Sequence, residues 1–282
     1  MTAQHVIVTG AAGYVGRHVV TALLEAGADV TAVVRPGRGD RVDERARIAE
    51  LDLLDPASDR SSLLEPPADA LVHLAWEAGF AHHAQQHILR LSDHFRVLDA
   101  FSQAGVGRIA ALGTMHEIGR HEGAITAATP TDPLSLYGIA KDALRRAVLA
   151  HIAPTTTVQW LRAFYILGDD RENQSIFTKL LEAAEAGKTT FPFTSGTAQF
   201  DFIQVDELGR QIATVALQDE VHGVLNVCSG EPVALGTQVE RFIESHGLDI
   251  ALQYGAYPDR PYDSKVVYGD ATQIRALMAA AD

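Results

Sequence analysis

The chain has 282 residues, enough to bury a large core, and suits one α/β domain with a small appended lobe better than two equal domains. At 47% hydrophobic and 21% charged residues its composition is that of a soluble globular enzyme, and no apolar run is long enough to span a bilayer. A formal net charge of −13 argues against general nucleic-acid binding, which needs a basic face, and a single cysteine, Cys228, rules out an internal disulfide.

An apolar run from His5 to Val8 leads into Thr9-Gly10-Ala11-Ala12-Gly13-Tyr14-Val15-Gly16, and an amphipathic stretch follows from Gly16 to Ala26. This reads as strand, glycine-rich turn and helix. Such a turn sets backbone N–H groups and a helix N-terminus against a phosphate. In this reading Gly10 takes a turn conformation closed to residues with a Cβ, Gly13 lets backbone approach a pyrophosphate, and Gly16 lets the helix pack on the strand. Residues 1–10 read as a strand rather than a signal peptide, which places the chain in the cytoplasm.

Asp29 to Val34 is a second buried strand, and its end bears on cofactor choice. An acidic residue there binds the ribose 2′-OH of NAD; an arginine accommodates the 2′-phosphate of NADP. Arg35 and Arg38 stand there, with Asp40 and Asp43 nearby, so NADP(H) is favoured and NAD(H) stays open. Arg47 to Leu51 is a third strand. Asp52, just beyond it, either hydrogen-bonds an adenine amino group or caps the next helix. Asp69 to Leu74 is a fourth strand, and small Ala75 at its carboxyl end permits close approach of a cofactor.

The stretch 77–94 is rich in histidine. His83 and His87 stand four apart and would share a helical face, as a metal-ligating pair does. No carboxylate or cysteine joins them at a matching spacing, so the stretch reads as a solvated or substrate-facing helix, and no metal is expected. A helix from His94 to Ala104 and a strand from Arg108 to Leu112 follow.

Thr114 stands just past that strand, pointing into the same crevice. Ser135 opens a helix in which Tyr137 and Lys141, four apart, share a face. An ammonium beside a phenol lowers the tyrosine pKa, which lets the phenol exchange a proton near neutral pH. The remainder reads as strands at Thr157–Leu161, Val224–Val227 and Ile250–Tyr254, and as helices at 174–187, 206–217 and 238–246. Short strands lie between 188 and 203, and a proline-containing loop precedes a terminal helix. Cys228 reads as a buried strand thiol.

Taken together, Thr9 through Gly16, Asp52-Leu53, Leu74-Ala75, Thr114, Tyr137 with Lys141, and Asp201-Phe202-Ile203 before Asp206 resemble the extended short-chain dehydrogenase/reductase family, in its sugar-nucleotide-modifying branch. The resemblance covers essentially the whole chain. It implies a doubly wound parallel Rossmann sheet over 1–165 and a smaller substrate lobe over 166–282, interleaved with the sheet. It carries a catalytic triad onto Thr114, Tyr137 and Lys141. Cofactor contacts fall on Gly10, Gly13, Tyr14, Val15, Gly16, Arg35, Arg38, Asp52, Leu53, Leu74, Ala75, Trp76, Tyr137, Lys141 and Phe164. Substrate contacts fall on Thr114, Met115, His116, Tyr137, Tyr165 and Arg260.

Gly113 through Glu117, Phe191 through Thr194, Asn226 through Gly230 and Arg260 through Ser264 narrow the resemblance to reductases of dTDP-4-keto-6-deoxyhexoses, which form dTDP-6-deoxy-L-talose or dTDP-D-fucose. A dTDP-linked substrate and a homodimer are implied. Two departures stand out. Dehydratases of the family carry an Asp-Glu pair after this threonine, where this chain has Met115-His116. Many relatives place a diphosphate-binding arginine where this chain has Phe200, which shifts that role to Arg260, with Arg162 or Lys179 as helpers. Two rivals remain: an NAD-dependent 4-epimerase, against which Arg35 argues, and a non-catalytic NAD(P)-binding regulator, which has no need of a Tyr–Lys pair.

Overall fold

The structure is a computed structural model that describes residues 3–168, 175–259 and 264–281. The first half of the chain alternates strand and helix: β1 (His5–Thr9), α1 (Tyr14–Glu25), β2 (Asp29–Val34), β3 (Arg47–Glu50), α2 (Ser61–Leu64), β4 (Ala70–His73), α3 (Gln86–Leu89), α4 (Leu91–Gln103) and β5 (Arg108–Thr114). Next come β6 (Gly123–Ile125), α5 (Leu136–His151), β7 (Thr157–Ala163), β8 (Tyr165–Leu167), α6 (Ile176–Glu185), β9 (Thr190–Pro192), β10 (Gln199–Gln204) and α7 (Val205–Ala216). The chain closes with β11 (Gly223–Val227), β12 (Pro232–Ala234), α8 (Leu235–Ser245), β13 (Ala251–Gln253), β14 (Val266–Gly269) and α9 (Thr272–Ala281).

Seven strands form one parallel sheet in the order β11-β7-β5-β4-β1-β2-β3. Its central strands are apolar runs buried on both faces, as a helix-covered parallel sheet requires. Alternate residues feed opposite cores: Val6 and Val8 join Val19, Leu23 and Leu208 on one side, and Ile7 joins Leu71, Phe101, Ile109 and Trp160 on the other. The chain runs outward from β1 to β2 and β3, then returns to lay β4 on the other flank of β1. The order therefore reverses between β1 and β4, and a crevice opens at their carboxyl ends.

A second sheet, β12-β10-β14-β6 with β8 beside β10, and a small β13-β9 pair build the lobe. The lobe has its own core of Leu180, Phe193, Val239 and Ile250. Yet β11, from beyond residue 165, pairs with β7 in the main sheet, and α7 packs on α1. The two parts are thus interleaved. Asp201 of β10, fully buried, fastens them: its carboxylate accepts from Ser229 N and Oγ, Gly230 N and Gly269 N at 2.6–3.0 Å.

Three readings of the sequence need correction. Residues 77–85 are an irregular loop rather than a helix; the short α3 follows it, and α4 starts at Leu91, before the expected His94. Strands β6 and β14 pair with each other inside stretches read as loop. The third, Cys228, is buried but lies one residue past β11; burial and the Asp201 carboxylate push its thiol up.

Candidate active site

The crevice at the strand ends has a volume of about 300 Å³ and is lined by Gly10, Gly13, Arg35, Arg38, Asp52, Leu53, Leu74, Ala75 and Trp76, all expected there, together with Arg41 and Glu77. Gly10 has φ +69°, and a Cβ on it would stand 2.7 Å from Ala75 N. A Cβ on Gly16 would stand 2.2 Å from Gly10 O, so α1 packs on the turn only because Gly16 has none. Helix α1 begins after Gly13 with no side-chain cap and no acidic residue in its first turn. Its leading N–H groups and dipole therefore face the crevice uncompensated, and an anion suits them. These features fit a dinucleotide. Arg35 Nη2, on an exposed side chain, stands 3.5 Å from Oε1 of the half-buried Glu77, which also faces Arg90 at 3.4 Å.

A second group of side chains, the chamber, lies at the end of β5 and meets the crevice at Trp76. Thr114 caps the turn Met115–Glu117: its hydroxyl accepts from His116 N, while its own N–H donates to Glu117 Oε1 at 2.8 Å. Glu117 is fully buried. It also accepts from Trp160 Nε1 at 2.9 Å and faces Arg162 at 3.4 Å and Arg145 at 3.5 Å. Burial raises its pKa, and the arginines act against that. Helix α5 starts where Ser135 Oγ accepts from Gly138 N. A Cβ on Gly138 would meet His116 O at 2.3 Å, so the helix sits directly on the Thr114 turn.

Tyr137 and Lys141 project from the first turns of α5. Burial pushes the Tyr137 phenol up to about 12; the neighbouring Thr114 side chain opposes the rise and the Glu117 carboxylate adds to it. The sequence reading had the phenol lowered by Lys141. The structure reverses the direction: burial dominates at the phenol, and Lys141 is engaged elsewhere. Its Nζ donates to Leu112 O at 2.6 Å and stands 3.7 Å from the centre of the Trp76 ring. Burial also lowers the Lys141 pKa to about 7, against the pull of Glu117.

Trp76 is held on three sides. It stacks on His94 at 4.3 Å, donates from Nε1 to His87 Nδ1 at 3.0 Å, and carries the Lys141 ammonium on its face. Behind it runs a buried chain. Ala75 N donates to Thr9 Oγ1 at 3.3 Å, Thr9 Oγ1 is 2.9 Å from His73 Nδ1, and His73 Nε2 is 3.0 Å from His94 Nδ1. One consistent proton order runs from Thr9 O–H to His73 and from His73 Nε2–H to His94. Burial drives both imidazoles down, His73 to about 3 and His94 to about 2, so both are neutral at pH 7. This polar column joins the glycine-rich turn to the chamber.

The other expected positions separate. Tyr14 opens α1, with its ring edge-on to His18 at 6.4 Å, and Val15 packs against the core. Phe164 and Met115 are buried in that same core and are not among the residues that line the crevice. Tyr165 and His116 face one another at 6.3 Å beside Phe200, which is 4.8 Å from Tyr165. Arg260 lies outside the described residues. Arg162, expected as a helper for a diphosphate, is instead committed to Glu117 and to Thr126 O at 3.1 Å, fully buried. Lys179 lines a lobe cavity of about 640 Å³ with Lys188, Phe191, Phe193 and Tyr257. His83 is exposed and His87 is buried against Trp76, so the two share no metal-binding face. Sequence reasoning missed His73, His82, His94 and Glu117, whose roles depend on partners distant along the chain.

Residues 6–228 match the NAD dependent epimerase/dehydratase family. The chain is 40% identical to the dTDP-6-deoxy-L-talose 4-dehydrogenase (NAD(+)) of Aggregatibacter actinomycetemcomitans over 269 residues, covering 94% of this chain and 99% of that one. It is 26% identical to the dTDP-6-deoxy-L-talose 4-dehydrogenase (NAD(P)(+)) of Kitasatospora kifunensis, covering 92% of this chain and 86% of that one. In fold it is similar to a UDP-glucose 4-epimerase, with a TM-score of 0.84 at 19% identity, covering 96% of this chain and 90% of that one. With a glycine-rich strand–turn–helix opening a crevice at the β1/β4 reversal, and a family match across most of its length, the chain belongs to the NAD dependent epimerase/dehydratase family.

Proposed function

We propose that the protein reduces the C4 ketone of a nucleotide-linked 4-keto-6-deoxyhexose, with dTDP as the nucleotide and NADPH as the preferred reductant over NADH. The observation that carries this reading is the packing of the start of α5, which bears Tyr137 and Lys141, directly on the Thr114 turn at the end of β5. The 40% identical relative named for the same sugar chemistry supports it.

In this reading the Gly10–Gly13 turn and the α1 N-terminus hold the cofactor diphosphate. Asp52 and Leu53 face the adenine, and Arg35 and Arg38 take the 2′-phosphate. Lys141 holds the nicotinamide ribose. The bound nicotinamide supplies the hydride. Tyr137 donates its proton to the oxygen at C4, and Thr114 hydrogen-bonds the same oxygen as charge develops on it. A phenol pushed up to about 12 stays protonated at neutral pH, which is the form a donor needs. The Arg35–Glu77 pair, long at 3.5 Å and exposed on the arginine side, holds little energy and yields readily to a phosphate. Lys179 and Lys188, with the aromatic rings of the lobe cavity, suit the nucleoside diphosphate of the substrate.

A homodimer is part of this reading. Ile88, Leu89, Leu134 and Ile139 are exposed on α3 and beside the start of α5, two helices that pack together.

Incubation with dTDP-4-keto-6-deoxyglucose and NADPH, with and without a 3,5-epimerase, followed by product NMR, tests the assignment. The proposal expects one NADPH consumed per 4-hydroxy product formed. An epimerised product with no net consumption of cofactor would make the protein a 4-epimerase instead.

A further inference from the structure

Loop 77–85, between β4 and α3, contains Ala78 at φ +55°, the non-glycine residue with a positive φ among those described. That conformation is disfavoured for a residue with a Cβ and persists where surrounding contacts impose it. Here the contacts are identifiable. Trp76 Nε1 donates to His87 Nδ1, so the other ring nitrogen of His87 carries hydrogen and donates to Ala81 O at 3.0 Å. From the other side, Tyr137 N donates to His82 O at 2.9 Å. This N–H lies in the first turn of α5, where the helix itself offers it no partner. The loop is thus pinned at two points, three residues beyond Ala78 and at its neighbour.

The pinning delivers one side chain. The His82 ring lies nearly parallel to the Tyr137 ring, 5.3 Å between centres at 16°. His116 stands against His82 at 4.4 Å and 6.0 Å from Tyr137, while His87 and Trp76 close other sides at 5.2 and 6.1 Å. Rings thus pack around the half-buried phenol ring and limit how far it can turn. Burial and the neighbouring histidines lower the His82 pKa, which keeps a neutral ring against the phenol at pH 7.

We infer that His82 is a positioning residue: stacked flat on Tyr137 and backed by His116, it fixes the angle at which the phenol presents its hydroxyl, and the strained loop 77–85 exists to place it. The inference rests on Tyr137 as the proton donor. A small misplacement of a reacting group slows the reaction far more than it weakens binding.

The test uses His82→Ala, His82→Phe and His82→Gln in the NADPH assay, with Tyr137→Phe in parallel and NADPH binding and thermal melting measured on each. His82→Ala is expected to lower kcat roughly tenfold to a hundredfold, with NADPH affinity, melting temperature and the KM for the sugar nucleotide little changed. His82→Phe, which keeps the stack, should restore most of kcat; His82→Gln, which keeps only polarity, should not. Wild-type kcat in His82→Ala would overturn the inference. Rescue by Gln and not by Phe would also overturn it, making the imidazole a polar partner of the substrate. If Tyr137→Phe itself turns over normally, the donor assignment fails; if Tyr137→Phe is dead and His82→Ala is fully active, the positioning inference alone fails.

Discussion

The crevice at the ends of β1 and β4 and the chamber around Tyr137 share a wall, Trp76, but are built in opposite ways. The crevice is made of backbone: a turn with Gly10 at φ +69°, a helix start without a cap, and small Ala75 opposite. Everything it needs lies within a few residues of a strand end. The chamber is made of side chains that arrive from four segments: Thr114 at the end of β5 with His116 just past it, Tyr137 and Lys141 on α5, His82 on a strained loop, and Tyr165 on β8. Its rings fix one another's directions, and its charges are buried. A backbone site tolerates changes of surrounding sequence, whereas a side-chain cage answers to each member. The contrast predicts that damage to the crevice shows as weak cofactor binding and damage to the chamber as slow chemistry.

The sharpest break of the crevice is Gly16→Ala. The added Cβ would stand 2.2 Å from Gly10 O and 2.8 Å from Ala11 O, both backbone atoms, so α1 must move off the turn. Overpacking of this kind costs about 1–3 kcal/mol of stability. NADPH affinity, measured by fluorescence titration, should fall at least about tenfold, the factor equal to 1.4 kcal/mol. Retained affinity would detach the turn from the cofactor.

A gentler change sharpens the same wall. Arg35→Asp should raise the KM for NADPH about tenfold and spare or improve the KM for NADH, since one charge-assisted contact is worth about 1.5–3 kcal/mol. Unchanged values for both cofactors would show that the loop after β2 does not read the phosphate.

The smallest effect separates stability from chemistry in the chamber. Burial lowers the Lys141 pKa from the ordinary lysine value of 10.5 to about 7. Between those values the unfolded chain holds a proton that the folded chain has released, so stability attributable to this residue rises with pH from 7 toward 10.5. Below pH 7 the buried ammonium carries its full cost. Lys141→Met should therefore melt roughly 3 °C higher than wild type at pH 6, with the gain shrinking as pH rises, while activity is lost. A gain that does not vary with pH would show that the lysine costs nothing by its charge.

Legibility in the sequence followed the same division. Hydrophobic runs and glycines located β1, α1, β2, β4 and the turn to within a residue or two, because strand ends and helix starts obey local rules. The spacing of Tyr137 and Lys141 gave their shared helical face, but neither where the ammonium goes, since Leu112 O and the Trp76 ring lie far away in the chain, nor the burial of the phenol that reversed the expected pKa shift. Loop 77–85 read as helix because its alanines and histidines fit one, while the bonds from His87 and Tyr137 that hold it irregular are tertiary. Strands β6 and β14 are three and four residues long and have little pattern apart from each other. Arg162 looked available from its position at a strand end; the buried Glu117 that claims it was not identifiable without the fold.

The most direct measurement of the central claim is Tyr137→Phe under saturating NADPH and sugar nucleotide. The change keeps the ring and its stack on His82 and removes the one proton the mechanism transfers. The account predicts NADPH binding equal to wild type and kcat lower by roughly 10²–10⁴-fold, the usual contribution of a general acid. A kcat close to wild type would contradict it, and the proton would have to come from another group in the chamber.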